Sequence, residues 1–156
     1  MKHDVRIRPA VLSDFERIVE IENSCFPHEL AYSRGQLRHL LLHAHSTVLV
    51  ETYKRHLRGF VIVLYKTGTS VAGIETINVD PSYQNQGIGA RLLTAAENDV
   101  RSRGMKKIRL EVATSNRAAI QLYKRAGFTI LSLLPRYYLY DHAGSRDAYR
   151  MIKELA

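Results

Sequence analysis

The stretch Asn78-Val79-Asp80-Pro81-Ser82-Tyr83-Gln84-Asn85-Gln86-Gly87-Ile88-Gly89-Ala90-Arg91 decides how this chain is read. It closes a β-rich run from Val71 to Val79 and opens a segment of helical period. Leu92, Leu93, Ala96 and Val100 share one face of a helix expected at about residues 88 to 102, which Gly104 ends. Gly87 and Gly89 let the backbone approach a ligand closely, and consecutive free N–H groups at a helix N-terminus suit phosphate oxygens. The third glycine of the dinucleotide fingerprint is missing, and Gly89-Ala90-Arg91 stands where a P-loop needs Gly-Lys-Ser/Thr. Taken alone, the stretch is either a pyrophosphate-binding loop or a plain strand-to-helix turn.

Upstream, Val5-Arg6-Ile7-Arg8 alternates like a half-buried strand, and Pro9 ends its ladder. Ser13-Asp14-Phe15-Glu16 reads as a capping box for a helix at about residues 14 to 24, which Phe26-Pro27 stops. Ser33-Arg34-Gly35-Gln36 caps a second helix whose apolar face is Leu37, Leu40 and Leu41. Two β-rich runs, Thr47 to Thr52 and Leu57 to Tyr65, flank a polar segment and form a hairpin. Downstream, Ile108, Leu110 and Val112 mark a strand, residues 116 to 126 a helix, and residues 128 to 134 and 148 to 153 two further strands. Strands first clustered and then alternating with helices predict a mixed α/β fold. We expect one domain over residues 1–156, without internal repeat or linker.

Composition narrows the chemistry. Twenty-three Lys and Arg against 15 Asp and Glu leave a net charge of +8, which suggests an anionic partner without specifying it. The single Cys25 can neither close an internal disulfide nor build a multi-cysteine metal site, which fits a reducing cytoplasm. Phe60 to Tyr65, the longest apolar run, is too short to span a membrane, and the first six residues lack a signal-peptide core. A soluble cytoplasmic protein is expected. Cys25 sits at a predicted helix C-terminal end, where nothing activates a thiolate. His39 and His43, with His45 beyond, have ligand-like spacing but no accompanying carboxylate, so no metal site is expected. The basic run Arg101, Arg103, Lys106, Lys107 and Arg109 is either an RNA contact or a complement to a helix C-terminus.

Two further residues carry chemistry. Glu111 lies on a predicted strand in Leu110-Glu111-Val112, and Tyr123 on the following helix. A carboxylate can take a proton from an amine, and a phenol can give one to a departing thiolate. Singly, Glu111 reads as a solvated partner of Arg109, and Tyr123 as a packing residue.

The patterns acquire meaning in sequence. Gln84-x-x-Gly87-x-Gly89-Ala90, then Leu110-Glu111-Val112, then Ser115-Asn116-x-x-Ala119-Ile120-x-Leu122-Tyr123-x-x-Ala126-Gly127-Phe128 resembles the GNAT superfamily of acetyl-CoA-dependent N-acetyltransferases. The chain is most similar to its RimI-type N-alpha-acetyltransferase branch. That branch places a Tyr twelve residues after the Glu of Leu-Glu-Val, as here. It also shows a Tyr-Tyr pair, here Tyr137-Tyr138, followed by Gly-x-x-Asp-Ala-x-x-x-Met, here Gly144 to Met151.

The resemblance implies one twisted mixed sheet of about seven strands flanked by about four helices, with two strands splayed at an acetyl-CoA cleft. Backbone groups of Ile77, Asn78 and Val79 would pair with the pantetheine arm. The amides of Gln84, Asn85, Gln86, Gly87, Ile88, Gly89 and Ala90 would hold the pyrophosphate, and Asn116 would bond the cofactor further along. Transfer would be direct, in a ternary complex, with Glu111 as general base through water and Tyr123 as general acid toward the CoA sulfur. Phe26, Pro27 and Tyr32 would face Tyr137 and Tyr138 across the acceptor groove. The loop Phe26-Pro27-His28-Glu29-Leu30-Ala31-Tyr32 departs from the branch pattern, which leaves the accepted first residue open. The expected acceptor is a protein or peptide N-terminus, with a small amine or a protein lysine as the alternative. A non-catalytic RNA- or ribosome-binding module is the alternative of another class, and the basic excess makes the ribosome a candidate partner.

Overall fold

In a computed structural model, which describes residues 4–27 and 29–155, seven strands make one sheet. They are β1 (Val5–Pro9), β2 (Ser46–Tyr53), β3 (His56–Tyr65), β4 (Val71–Val79), β5 (Lys107–Ala113), β6 (Thr129–Leu134) and β7 (Ala148–Glu154). The spatial order is β1-β2-β3-β4-β5-β7-β6. Pairing is antiparallel throughout except between β4 and β5. Helices α1 (Phe15–Cys25) and α2 (Arg34–Leu42) lie on one face, and α3 (Ile88–Ser102) and α4 (Arg117–Arg125) on the other. His28 of the expected groove loop lies outside the described residues, as do the first three residues and Ala156.

Each face has its own core. Phe15, Ile18, Ile21 and Leu37 pack on Val50, Phe60 and Ile62, while Leu92, Leu93, Ala96 and Tyr123 pack on Val61, Val63, Ile108 and Leu110. Because β3 is covered on both faces, it reads as an unbroken apolar run rather than an alternating one. The Ser33 cap forms as expected: Ser33 Oγ accepts from the Gln36 amide at 3.1 Å, and Gln36 Oε1 accepts from the Ser33 amide at 2.8 Å.

The cap expected at Ser13 does not form. A 3-10 turn over Leu12–Asp14 leads into α1, and Asp14 binds the Val11 amide at 2.8 Å and the Arg8 guanidinium at 2.7 and 3.0 Å. Glu16, the other half of the expected box, instead pairs with Arg34 at 2.6 Å. Charged partners outcompeted a neutral cap at both positions.

Two irregularities position the site. The β4–β5 ladder holds for only three pairs, Val71 with Lys107, Ala72 with Ile108 and Gly73 with Arg109, after which the strands diverge. Within β4, Ile62 pairs with Thr76 but Val63 pairs with Ile74, so Glu75 is an inserted bulge residue. Ala72 and Ile74 before the bulge, and Ile77 and Val79 after it, all contribute to the α3/α4 core, so the extra residue restores the alternation.

Candidate active site

Between the splayed ends of β4 and β5 a slot runs through the sheet. On the α3/α4 side it opens into a cleft of about 680 Å³ lined by Ile77, Val79, Gly87, Gly89 and Asn116. On the α1/α2 side it opens into a cavity of about 290 Å³ lined by Phe26, Tyr32, Glu111 and Tyr138. Ile77, Asn116, Ala119 and Tyr123 border both spaces, so the two are joined at the level of Tyr123.

The cleft is built from backbone. The Asp80 amide donates to the Arg58 carbonyl at 2.8 Å, so by strand alternation Asn78 pairs with Phe60 and the amides and carbonyls of Ile77 and Val79 point into the slot. Asn78 therefore departs from the expectation for residues 77–79. Its backbone is engaged with β3, and its Nδ2 donates to Glu22 Oε1 at 2.5 Å on the α1 side. At the far end, Gly87 caps α3 with φ +80°, a conformation that glycine adopts without steric cost. The amides of Ile88, Gly89 and Ala90 in the first turn then lack helical acceptors and face outward as donors. A Cβ on Gly89 would stand 3.3 Å from Leu122 Cδ2, so glycine lets α3 and α4 close around the cleft. Asn116 caps α4, its Oδ1 accepting from the Ala119 amide at 3.2 Å. Gln84 and Asn85 line the cleft, whereas Gln86 turns its carbonyl to Arg91 Nη1 at 3.2 Å.

Glu111 and Tyr123 reach the slot from opposite faces. Leu110 and Val112 belong to the α3/α4 core, so Glu111 between them faces the α1/α2 side. Arg150 Nη2 lies 3.7 Å and Arg109 Nε 3.8 Å from its carboxylate, and the Tyr137 hydroxyl 3.5 Å. Tyr123 projects from α4, its ring edge-on to Phe128 at a centroid distance of 5.9 Å. Burial pushes its phenol up to about 12, so it stays protonated at neutral and moderately alkaline pH. Protonated Tyr123 thus favours the folded state fully below about pH 10, a contribution lost as pH rises toward the folded-state value.

Phe26, Tyr32 and Tyr138, three of the residues expected to wall the groove, line the smaller cavity. Pro27 acts from behind: its carbonyl accepts the amides of Leu30 at 2.9 Å and Ala31 at 3.0 Å, making the turn that carries Tyr32 inward. The Tyr32 amide donates to Glu22 Oε2 at 3.0 Å, and its hydroxyl donates to Glu75. Tyr137 and Tyr138 lie in the β6–β7 loop, packed edge-on at 5.0 Å, with the Tyr138 ring 3.9 Å from that of His142 and tilted by 39°. Burial raises the Tyr138 phenol well above its ordinary value.

Two residues outside the motifs join the site. Glu75 faces both the small cavity and a neighbouring groove of about 690 Å³ along β4 and β5. Glu51, fully buried in β2, holds Arg58 at 2.9 and 2.6 Å and Arg91 Nη2 at 2.9 Å. Because Arg91 also binds the Gln86 carbonyl, Glu51 fixes the amide-bearing loop to the sheet. The sequence signal for it was a carboxylate directly after the apolar run Val48-Leu49-Val50 and an arginine across the hairpin.

Other polar groups have local partners. Arg101 pairs with Glu97 at 3.0 Å, Arg103 with Asp99 at 3.3 Å and Lys107 with Glu154 at 3.6 Å, so much of the basic run is neutralised in place. Cys25 donates to the Val79 carbonyl at 3.3 Å, and burial pushes its thiol up to about 11. The rings of His39 and His43 stand 6.0 Å apart, and no cluster of three His, Cys, Asp or Glu suited to a metal occurs among the described residues. Among those residues, no helix is long and apolar enough to cross a membrane.

Comparison with known proteins agrees with this geometry. The chain is 32% identical over 132 residues to the [ribosomal protein bS18]-alanine N-acetyltransferase of Haemophilus ducreyi, covering 85% of this chain and 88% of the relative. It is 32% identical over 152 residues to the N-alpha-acetyltransferase RimI of Mycobacterium tuberculosis, covering 96% and 92%. The crystal structure of the ribosomal-protein-S18-alanine N-acetyltransferase from Escherichia coli superposes with a TM-score of 0.86 at 27% identity, over 97% of this chain and 94% of that one. The model of the acetyltransferase (GNAT) family matches residues 15–128, which include α1, the amide loop, Glu111 and Tyr123. With a slot through its sheet, a loop of free amides and this match over most of its length, the chain belongs to the GNAT family and is an N-acetyltransferase that uses acetyl-CoA.

Proposed function

We propose that this enzyme acetylates the α-amino group of a protein N-terminus by direct attack in a ternary complex, with residues 1–156 acting as one catalytic unit in the cytoplasm. The observation that carries the reading is the slot itself, bordered by Tyr123 and joining a donor cleft to an acceptor cavity that contains Glu111. The residues fit the donor. A row of outward amides at the α3 N-terminus suits a pyrophosphate, and the slot-facing backbone of Ile77 and the Val79 amide suit an amide-bearing arm, the Val79 carbonyl being taken by Cys25. Acetyl-CoA supplies an activated acetyl group as a thioester.

The chain's own groups do the rest. Ile77 and Val79 orient the arm, residues 84–90 hold the phosphates, and Asn116 borders the passage between the two spaces. Glu111 takes the proton that the amine gives up as its nitrogen bonds the acetyl carbon, directly or through water. Tyr123 donates a proton to sulfur as the carbon–sulfur bond breaks. Because its phenol is held up to about 12, kcat is expected to show no alkaline limb centred below about pH 10. A limb centred near pH 8 to 9 that disappears in Tyr123→Phe would contradict this role.

An α-amine near pKa ~8 supplies its neutral form at cytoplasmic pH far more readily than a lysine near ~10.4. The relatives named for ribosomal-protein N-termini support a protein acceptor, and the basic excess left outside the site is compatible with work near the ribosome. The direct test measures CoA thiol release with short peptides that differ in their first two residues, with spermidine as the small-amine control. Turnover with at least one free-amine peptide, absent when its α-amine is blocked, is expected. Turnover with spermidine alone would overturn the proposal.

A further inference from the structure

We propose that Glu75 is the acceptor-charge anchor of this enzyme, the carboxylate that receives the positively charged amine before Glu111 deprotonates it. The inference rests on the amine-acetylating reading above. Its basis is the β4 bulge. With Ala72, Ile74, Ile77 and Val79 all directed to the α3/α4 core, the inserted residue leaves both Glu75 and Thr76 facing the α1/α2 side. Two contacts confirm that direction: the Tyr32 hydroxyl of the α1–α2 loop donates to Glu75, and Thr76 Oγ1 lies 3.3 Å from Asn78 Oδ1 on the Glu22 side.

The bulge thus sets a second carboxylate opposite the first. Glu75 on β4 and Glu111 on β5 stand on the two strands that form the slot, and both line the acceptor cavity and the neighbouring groove. Both also act on the Tyr137 phenol, whose ionisation they oppose. Their surroundings differ. Glu111 has two guanidiniums within 4 Å, from Arg109 and Arg150, whereas the contact to Glu75 is a neutral phenol. Glu22, the third carboxylate of the cavity, is bound to the Tyr32 amide and Asn78. Among the described residues neither Glu75 nor Glu22 has a cation within salt-bridge range, but Glu22 is buried and already bound to two donors, so Glu75 is the exposed carboxylate at this mouth left to receive a cationic ligand. An ammonium entering between the strands meets it, while the charge of Glu111 on the facing strand is already shared with two guanidiniums.

This role separates Glu75 from the chemistry. Glu75→Gln keeps an oxygen for the Tyr32 hydroxyl and removes only the charge. Its KM for an acceptor peptide is expected to rise about tenfold or more, with kcat within about threefold, KM for acetyl-CoA within about twofold and melting temperature unchanged. Wild-type kcat/KM for the peptide is expected to fall more steeply with added NaCl than that of Glu75→Gln. Glu75→Asp is expected to restore part of the lost affinity. An unchanged acceptor KM in Glu75→Gln, measured on a peptide that the wild type acetylates, would overturn the anchor role while leaving the enzyme reading intact. Failure of the wild type to acetylate any free-amine peptide would instead overturn the reading on which it rests. A fall in kcat with unchanged KM would assign Glu75 to catalysis and equally overturn the anchor.

Discussion

Replacing Tyr123 by Phe is expected to lower kcat by about 10²-fold or more, the range in which a positioned general acid contributes. The ring fills the same volume against Phe128, so folding and the shape of the slot are retained. Tyr123 is buried and burial alone shifts its phenol, with no hydrogen bond from another side chain contributing, so deleting the hydroxyl leaves no charged group without a partner. KM for acetyl-CoA is therefore expected to stay within about threefold, and the loss to appear in the chemical step. The complementary variant Glu111→Gln is expected to lower the rate by removing the proton acceptor, with both arginines still held beside a neutral amide. If both variants retained wild-type kcat, neither residue would have the role assigned to it.

The second large effect is structural and lies away from the reacting atoms. Glu51→Ala would leave the buried Arg58 guanidinium without its two-point carboxylate partner and release Arg91 from its hold on the loop. Removing one member of a buried ion pair costs about 3–5 kcal/mol, because the remaining charge stays desolvated. In a chain of this size that corresponds to a melting point lower by roughly 6–20 °C. The Arg58 guanidinium also lies over the rings of Tyr53 and Tyr83, at 5.1 and 5.6 Å, contacts too weak to replace the carboxylate. Because Arg91 is half exposed, Arg91→Met is expected to cost little stability while raising KM for acetyl-CoA severalfold, since the Gln86 carbonyl loses its tether. Thermal unfolding of both variants, with acetyl-CoA titration of the second, separates the two contributions. A melting point for Glu51→Ala within about 2 °C of wild type would show that the network does not hold the sheet and loop together.

The parts of the molecule legible in the sequence were those set by short-range chemistry. The Ser33–Gln36 cap, the apolar run of β3 and the glycine-bearing entry to α3 follow from residues a few positions apart. The Ser13 cap failed for a long-range reason: Glu16 found Arg34, 18 positions away, and Asp14 found Arg8. Placement of β7 between β5 and β6 was equally invisible, because it depends on which strand the β6–β7 loop returns to rather than on any local pattern.

The site shows the same division. Motif spacing singled out Glu111, Tyr123 and the amide loop as candidates, yet a contiguous segment such as 77–79 cannot serve one ligand uniformly on a strand. Alternation sends Ile77 and Val79 to the slot and Asn78 to Glu22. Glu75 was hidden because alternation counted back from Ile77 and Val79 assigns it to the α3/α4 face while alternation from Ala72 and Ile74 assigns it to the other, and only the bulge decides between them. Glu51 was hidden because a charge inside a strand gives no sign of its partner until the hairpin register sets it beside Arg58 and packing brings in Arg91.

The central claim, acetyl transfer to an α-amine through the slot between β4 and β5, is tested most directly by locating the product. The wild-type enzyme would be incubated with acetyl-CoA and a peptide that carries both a free α-amine and an internal lysine, and the acetyl group assigned by fragment-ion mass spectrometry. Acetylation on the α-nitrogen, largely lost in Tyr123→Phe, is the expected result. Acetyl found on the lysine, or an unmodified peptide under conditions where spermidine is acetylated, would contradict it.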